Sequence, residues 1–345
     1  MQKSKLHILL LSLLLAVSFT LVGCKVKQEE NTKKTSELYA LDTIITLTAY
    51  GDNADKAISA AKDEIFRLDK LLSVTNSESD IYKLNNAKGE AVTVSDETYA
   101  LLQSAKEISL ATKGSFDVTI YPVLTLWGFT TGDYNVPAQD EILEALSKVS
   151  ADNIVLESGN TAQLKNGAMC DLGGIAKGFI ADKAAKAMTD AGLESGIISL
   201  GGNVKTIGTK PSGESWSIGI QNPDKSGYFA TVKTEEASLI TSGGYQRNFT
   251  ENEVTYHHII DPSTGYPSKS DAVSVTIIGG DGALCDALST AIFIGGSDYA
   301  AKIHSKRENF EYIILTKDKE VIASKNLEGK ITLSENDDFT DIIYR

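Results

Sequence analysis

Six short segments with strand character follow one another in the second half of the chain, and three of the five links between them have 11 residues or fewer. They cover residues 196–200, 216–221, 229–232, 237–241, 256–260 and 272–278. Links this short join antiparallel neighbours, because a parallel pair needs a crossover of a dozen residues or more. This half of the chain therefore predicts a largely antiparallel sheet.

Helical patterns separate some of these strands and dominate the first half of the chain. Helices are predicted over residues 55–72, 96–112, 137–149, 175–192, 282–293 and 298–305. Further strands are predicted over residues 40–50, 154–156, 162–164, 311–315 and 320–323. The mixture predicts an α+β fold, with largely antiparallel sheets and packed helices. No linker interrupts residues 38–345, so we expect a single integrated body there.

The first 23 residues, MQKSKLHILLLSLLLAVSFTLVG, combine a basic flank, a short apolar core and a small-residue end, as a secretory signal does. Cys24 completes LVGC, which resembles the lipobox of bacterial lipoproteins, in which the cysteine is lipidated. An ordinary cleaved signal is the alternative. Residues 24–37 are polar and without apolar periodicity, which predicts a flexible tether. We expect a domain that is lipid-anchored to a bacterial membrane and faces its extracytoplasmic side.

The formal net charge of −13 argues against nucleic acid as a partner. It also repels anionic small molecules, and cleavage of the signal would remove two further lysines. A phosphate-bearing ligand would therefore need local help from a helix N-terminus, a lysine or a metal cation.

Beyond Cys24 the chain has two cysteines, Cys170 and Cys285. Two cysteines cannot form a zinc cage alone, and their wide separation excludes a CxxC redox pair. The sequence leaves two alternatives, a disulfide between the two cysteines or two buried reduced thiols.

The stretch CDLGGIAKGFIA at residues 170–181 places glycines between a short strand and a helix. Backbone N–H groups at the start of such a helix favour anions, and Lys177 lies in its first turn. The spacing matches neither GxxxxGK[ST] nor a well-placed GxGxxG, so a structural turn and a ligand site are both open. Further along the same helix, Asp182 and Lys186 are predicted to form an i,i+4 ion pair.

His257 and His258 precede the turn sequence DPSTG. Side chains alternate along a strand, so at most one of the two faces a given pocket. If the chemistry needs a base near neutral pH, this pair is the place to look.

Asp286 and Thr290 are four residues apart in a predicted helix, so their oxygens share one face. A carboxylate, a hydroxyl and a backbone carbonyl form a sparse oxygen site, which Mg²⁺ tolerates when phosphates and waters complete its shell. Helix capping by Asp286 and packing by Thr290 is the structural alternative.

Seven segments together resemble the ApbE family of bacterial flavin transferases, formerly described as thiamine biosynthesis lipoproteins. They are LDT at 41–43, KGSFDVTIYPVLTLWGF at 113–129, DLGGIAKGFIAD at 171–182, LGGN at 200–203, TSGGYQR at 241–247, HIIDPSTGYP at 258–267 and DALSTA at 286–291. The resemblance implies an ApbE-like body that moves FMN from FAD onto a threonine of a target protein. It also implies a phosphoester product, release of AMP and dependence on Mg²⁺.

Carried over motif by motif, the resemblance implies FAD contacts at Leu41, Thr75, Ser115, Phe116, Asp117, Asp171, Lys177 and Ile260. It implies a Mg²⁺ site at the Gly174 carbonyl, Asp286, Ser289 and Thr290. His258 matches the histidine proposed as the family's base, and Asp286 acting through a metal-bound water is the alternative.

The resemblance implies, as acceptors, membrane redox proteins that carry a Ser/Thr-Gly-Ala-Ser/Thr motif. Two other functions fit the same residues. One is Mg²⁺-dependent hydrolysis of FAD to FMN and AMP, with water in place of threonine. The other is a lipid-anchored protein that binds FAD without catalysis.

Overall fold

The computed structural model describes residues 32–307, 309–334, 339 and 341–345. Its helices are α1 (Ala54–Leu72), α2 (Asp80–Asn86), α3 (Asp96–Ala111), α4 (Tyr121–Leu126), α5 (Gln139–Leu146), α6 (Ala176–Asp190), α7 (Gly282–Gly295) and α8 (Ser297–His304). Its strands are β1 (Lys33–Ala40), β2 (Thr43–Tyr50), β3 (Val92–Thr93), β4 (Ile154–Glu157), β5 (Thr161–Leu164), β6 (Gly196–Leu200), β7 (Asn203–Ile207), β8 (Trp216–Gln221), β9 (Tyr228–Thr234), β10 (Ser238–Gly243), β11 (Asn248–Glu251), β12 (Val254–His257), β13 (Ala272–Gly279), β14 (Phe310–Thr316), β15 (Val321–Ala323), β16 (Ile331–Leu333) and β17 (Ile342–Tyr344). The predicted signal at 1–23, Cys24 and residues 25–31 of the predicted tether lie outside the described residues.

Nine strands form one sheet in the order β1-β2-β6-β7-β10-β13-β14-β15-β17. Its neighbours pair antiparallel, apart from β15 and β17, which pair in parallel. Along β10, Leu239 belongs to the apolar core on one face and Ile240 to the core on the other. Consecutive apolar residues are what a strand buried on both faces requires, since its side chains alternate. The predicted α+β fold with largely antiparallel sheets is confirmed.

Helices α1, α6 and α7 cover one face of this sheet, and the three-stranded sheet β8-β9-β16 covers the other. Helix α6 lies between α1 and α7, and α7 packs directly on β10 and β13. A third apolar cluster surrounds the fully buried Trp127, whose Nε1–H donates to the Gly265 carbonyl at 2.8 Å. Within the described part of the chain, no helix combines the length and the apolar character needed to cross a bilayer.

The helices predicted from the sequence are all present, with ends that differ by a few residues at most. Ser95 caps α3 by accepting a hydrogen bond from the Thr98 N–H at 3.2 Å. Helix α6 ends before Gly192, which has the left-handed φ of +92° that favours glycine at a helix C-terminus. Local sequence chemistry therefore sets the start of α3 and the end of α6.

The first strand corrects the predicted tether, because residues 33–37 belong to β1. This strand pairs with β2 from Lys33 opposite Tyr50 to Ala40 opposite Thr43. Pairing satisfies backbone groups without an apolar pattern, and most side chains of β1 are exposed, so its polar composition concealed it. The single strand predicted over 40–50 is likewise interrupted, by a tight turn at Leu41 and Asp42 with φ values of 53° and 55°.

Candidate functional site

A cavity of about 780 Å³ opens beside the first hairpin turn, the start of α6 and the first turns of α7. Its volume lies in the range of small-molecule and cofactor sites. Its lining includes every predicted cavity residue except Ser289: Leu41, Thr75, Ser115, Phe116, Asp117, Asp171, Gly174, Lys177, His258, Ile260, Asp286 and Thr290. Segments from both halves of the sequence thus converge on one site.

Asp286 lies on the wall of this cavity in the second turn of α7 and is only 3% exposed. Its Oδ2 accepts a hydrogen bond from the Gly178 N–H of α6 at 3.0 Å. Its Oδ1 lies 3.4 Å from the Asn203 amide nitrogen and 3.7 Å from the Lys177 ammonium. Donors from α6 and β7 therefore fix this carboxylate and leave it beside a positive charge.

Helices α6 and α7 touch backbone to backbone at Gly178 and Gly282. A Cβ atom on Gly178 would overlap the carbonyl group of Gly282 and lie 3.0 Å from the Asp286 Cβ. A Cβ on Gly282 would likewise overlap the Gly178 carbonyl. The third glycine of the GGIAKG stretch therefore permits close helix packing, and this contact lets the Gly178 N–H reach Asp286.

The start of α6 concentrates polar groups on the cavity wall. Asp171 Oδ1 accepts from the Gly173 N–H at 2.6 Å, and the Lys177 ammonium donates to the Gly173 carbonyl at 2.9 Å. Burial raises the pKa of Asp171, although the Gly173 N–H and the charges of Lys177 and Arg247 oppose that effect. Lys177 thus supplies positive potential at a helix start where a phosphate group could bind.

Asp117 is used mainly by the fold. Its Oδ1 accepts from the Thr119 N–H at 2.8 Å and from the Thr119 hydroxyl at 2.6 Å, and its Oδ2 lies 3.3 Å from the Ser109 hydroxyl. These bonds cap the short turn at Val118–Ile120. The hydrogen bonds of the Asp117 carboxylate are therefore made mainly within the cavity wall and leave it less available to a ligand.

The neighbouring residues Ser115 and Phe116 complete this wall. The Ser115 hydroxyl donates to the Thr112 carbonyl at 3.0 Å and lies 3.3 Å from the Tyr299 hydroxyl. The Phe116 ring packs against Gly174, where an added Cβ would meet the ring at 3.2 Å. The ring therefore holds the Gly174 backbone in place.

The two histidines have different surroundings, and only His258 lines the cavity. Its Nδ1 lies 3.1 Å from the Arg247 carbonyl oxygen, which can only accept. Nδ1 therefore carries the proton, and Nε2 keeps its lone pair. His257 has both ring nitrogens occupied, at 3.1 Å from the Ser268 carbonyl and 3.3 Å from the Ile259 N–H. It serves the fold.

Burial lowers the pKa of His258 to about 4, and the charges of Lys177 and Arg247 act in the same direction. The unfolded chain binds this proton near the ordinary pKa of 6.5, so between these two values the unfolded state holds more protons. We expect the free energy of unfolding to fall as the pH is lowered through this window. Urea denaturation above and below this pH window should show a larger decrease in the free energy of unfolding for the wild type than for His258→Gln. Equal decreases would contradict the lowered pKa of His258.

Ser289 is the predicted site residue that the structure does not bring to the cavity. Its side chain is fully buried, donates to the Asp286 carbonyl at 2.7 Å and lies 2.7 Å from the Ser242 hydroxyl. Three residues beyond Asp286, it points to the inner side of α7. Its hydroxyl supports the helix and the end of β10.

Several lining residues were not predicted individually, although they lie in the quoted motifs. Asn203, from LGGN, contacts Asp286, and Arg247, from TSGGYQR, lines the cavity. Among the described residues, the Arg247 guanidinium forms no hydrogen bond or ion pair. Its position as a basic residue after a glycine turn was the signal that sequence reasoning left unused.

Cys170 and Cys285 are both free and buried, so of the two open alternatives the reduced thiols are observed. Burial raises the pKa of Cys170 to about 12 and that of Cys285 further still. The Asn85 amide fixes the Cys170 backbone through two hydrogen bonds of 2.8 Å. These thiols belong to the core and take no part in the site.

The described residues contain no group of three His, Cys, Asp or Glu side chains able to hold a metal. Asp286 offers one carboxylate, and the Thr290 hydroxyl lies 3.8 Å from the Cβ position of Gly174. This oxygen-only set fits a hard cation such as Mg²⁺ when phosphate oxygens and water complete its coordination. The Asp286 carboxylate already lies beside one cation, the Lys177 ammonium, at 3.7 Å.

Comparison with known proteins places these residues in context. The ApbE family matches residues 41–314. The FAD:protein FMN transferase of Treponema pallidum is 31% identical over 313 residues, which cover 84% of this chain and 86% of that protein. The protein of the same name from Klebsiella pneumoniae is 31% identical over 276 residues, 78% and 85% of the two chains. The solved ApbE protein of Thermotoga maritima superposes with a TM-score of 0.82 at 32% identity, covering 87% and 99%.

Proposed function

This chain belongs to the ApbE family. We propose that it binds FAD in the cavity and transfers the FMN half to a threonine of a target protein. The general activity, a FAD:protein FMN transferase, follows from relatives of that name at 31% identity over most of both chains. The observation that carries the proposal is the meeting of Asp286 and Lys177 on one wall of the cavity. An otherwise acidic chain thereby gains a site for pyrophosphate.

In the proposed reaction, the threonine hydroxyl attacks the phosphorus of the FMN half. A new P–O bond forms to threonine while the pyrophosphate P–O bond breaks, and AMP leaves with the bridging oxygen. The hydroxyl proton must pass to a base. The protein has to align the attacking threonine oxygen with the bridging oxygen that leaves on AMP. It also has to offset the charge that develops on the leaving phosphate.

Lys177 would offset part of that charge. Its ammonium bonds to the Gly173 carbonyl at 2.9 Å, which directs it across the first turn of α6. Asp286, the Thr290 hydroxyl and the Gly174 carbonyl would hold Mg²⁺, which when bound neutralises phosphate charge. The Arg247 guanidinium adds a second cation on the cavity lining.

His258 is the proposed acceptor of the threonine proton. With Nδ1–H directed to the Arg247 carbonyl, the Nε2 lone pair is available. The low pKa keeps the imidazole neutral at pH 7 but makes it a weak base. The proton should therefore move as the P–O bond forms and not before.

Substitution of His258 by alanine is expected to lower kcat for FMN transfer about 100-fold, the usual contribution of a general base. The KM for FAD should change little, because the pyrophosphate contacts remain. Initial rates of acceptor flavinylation at saturating Mg²⁺ give both constants. His257→Ala is the neighbouring control, and a wild-type rate for His258→Ala would show that another group takes the proton.

The transferase is distinguished from a FAD pyrophosphatase by its product. The protein is incubated with FAD, Mg²⁺ and an acceptor fragment that carries a Ser/Thr-Gly-Ala-Ser/Thr motif, followed by mass spectrometry. We expect a threonine-linked FMN adduct and one AMP per adduct. Release of FMN and AMP with an unmodified fragment would favour hydrolysis instead.

We also propose that the chain acts on the extracytoplasmic side of a bacterial membrane, held by a lipid on Cys24. The supporting observation is the LVGC sequence after a basic and apolar leader. Acceptors would then be membrane redox proteins with their threonine on the same side. Mass spectrometry of the membrane-bound protein should find Cys24 at the N-terminus carrying a lipid, and a chain cleaved without lipid on Cys24 would contradict the anchor.

A further inference from the structure

An ion pair between the buried Lys205 and the partly exposed Asp182 lies behind Asp286, outside the cavity lining. The Lys205 ammonium of β7 is 2.8 Å from Asp182 Oδ1 of α6, and Lys205 is only 7% exposed. The predicted pair between Asp182 and Lys186 is wrong, because Lys186 bonds instead to Asp190 at 2.7 Å on the exposed side of the helix. Asp182 faces β7 and the start of α7.

This pair holds the first residues of α7. Asp182 Oδ2 accepts from the Gly282 N–H at 2.6 Å, one of the donors that the start of a helix leaves without an internal partner. The Lys205 ammonium also donates to the Gly280 carbonyl at 3.1 Å and to the Ser238 hydroxyl at 3.2 Å. The chain is therefore fixed on both sides of the point where α7 begins.

The same elements fix Asp286, one helical turn later. Asn203 and Lys205 are two residues apart on β7, so both side chains face the helices. Asn203 approaches Asp286 at 3.4 Å, while Lys205 approaches Asp182. The pair and the carboxylate are thus joined through one rigid strand and the first turn of one helix.

Stability alone does not require such a pair. Removing the Lys205 ammonium from water costs free energy, and well-packed apolar residues in place of such a pair are often as stable or more stable. What an apolar replacement would lose is the directed bonds to the Gly282 N–H and the Gly280 carbonyl. Those bonds set the position of α7.

We propose that Asp182 and Lys205 are positioning residues that set the affinity of Asp286 for a divalent cation by fixing the first turn of α7. This inference rests on the proposed function, in which Asp286 holds Mg²⁺. Neither residue lines the cavity. Partners that orient a metal ligand commonly change metal affinity by 10- to 100-fold.

The test measures Mn²⁺ binding by the loss of its free electron paramagnetic resonance signal, with FAD at saturation and a protein-free FAD blank, because phosphate oxygens complete the proposed site. The variants are Asp182→Ala and the double variant Asp182→Ala with Lys205→Met. Asp190→Ala, alone and with Lys186→Met, is the matched control, since it removes an exposed ion pair from the same helix. Thermal midpoints are measured on every variant.

We expect about tenfold weaker Mn²⁺ binding in both Asp182 variants and no change in the controls. The double variant should recover thermal stability relative to Asp182→Ala, because no unpaired buried charge remains, yet keep its weak Mn²⁺ binding. Wild-type Mn²⁺ affinity in the folded double variant would overturn the positioning role.

Asp286→Asn separates this inference from the proposed function. If Asp286→Asn loses Mn²⁺ binding while the double variant retains it, only the positioning role fails. If Asp286→Asn binds Mn²⁺ as the wild type does, the proposed metal site fails and the positioning role fails with it.

Discussion

Asparagine at position 286 is expected to lower kcat/KM for FMN transfer about 10³-fold. The carboxylate is the single acidic ligand proposed for Mg²⁺, and loss of one strong stabiliser of a charged transition state costs this much. Asparagine matches the volume of aspartate. Its amide oxygen can still accept the hydrogen bond that the Gly178 N–H donates to Asp286 Oδ2 at 3.0 Å in the wild type. The fold should therefore survive while catalysis fails. Flavinylation of an acceptor fragment over a range of Mg²⁺ concentrations measures the loss.

Asp281→Asn is the matched control for this substitution. Asp281 lies just before α7, and its Oδ1 accepts from the Leu284 N–H at 3.0 Å. Asparagine caps a helix about as well as aspartate does, so activity should stay near the wild type. If Asp286→Asn kept its activity within tenfold of the wild type at saturating Mg²⁺, Asp286 would not be the metal ligand of the reaction.

Alanine at position 178 is expected to reduce the free energy of unfolding by about 2 kcal/mol, the usual cost of overpacking. The new Cβ would overlap the Gly282 carbonyl, and this clash outweighs the roughly 1 kcal/mol that alanine gains over glycine in a helix. Relief requires α7 to move away from α6, which carries Asp286 with it. Transfer should fall about 100-fold, since a misplacement near 1 Å has effects of that size. Urea denaturation and initial rates measure the two effects.

Gly280→Ala tests whether any added methyl near α7 has the same effect. A Cβ at Gly280 would meet no atom within 4 Å, so stability and activity should stay near the wild type. A Gly178→Ala variant as stable and as active as Gly280→Ala would show that α6 and α7 can separate without harm to the site.

The sequence predicts the fold best where local chemistry decides it. Periodic apolar residues and the Ser95 cap predicted α3, and strand-length apolar runs predicted β6, β10, β13 and β14 of the large sheet. Strand β7, between β6 and β10, was not predicted. Strand β1 was missed because its pairing with β2 uses backbone bonds under exposed polar side chains. Asp182 was paired with the wrong lysine, because the closeness of β7 to α6 exists only in the tertiary structure.

The candidate site follows the same division. The motif residues lie together because most of the motifs end a strand or begin a helix at one side of the fold, where the second turn of α7 also lies. The sequence could not show that Ser289 points away from the cavity, which depends on the orientation of α7 against β10. It also could not separate the roles within GGIAKG, where Lys177 serves the cavity and Gly178 the contact with α7.

The reactivity of the two buried thiols, Cys170 and Cys285, reports how often the apolar core of the folded chain opens. Cys170 is 0% and Cys285 1% exposed, and both lie in the large apolar core beside the helices of the site. A thiol reagent can reach either only when that core opens, and the thiolate form that reacts is suppressed while it is closed. In an oxidising compartment, transient opening would therefore risk irreversible trapping by oxidation. If the chain acts outside the cytoplasm, as proposed above, its lifetime there is expected to depend on how rarely its core opens.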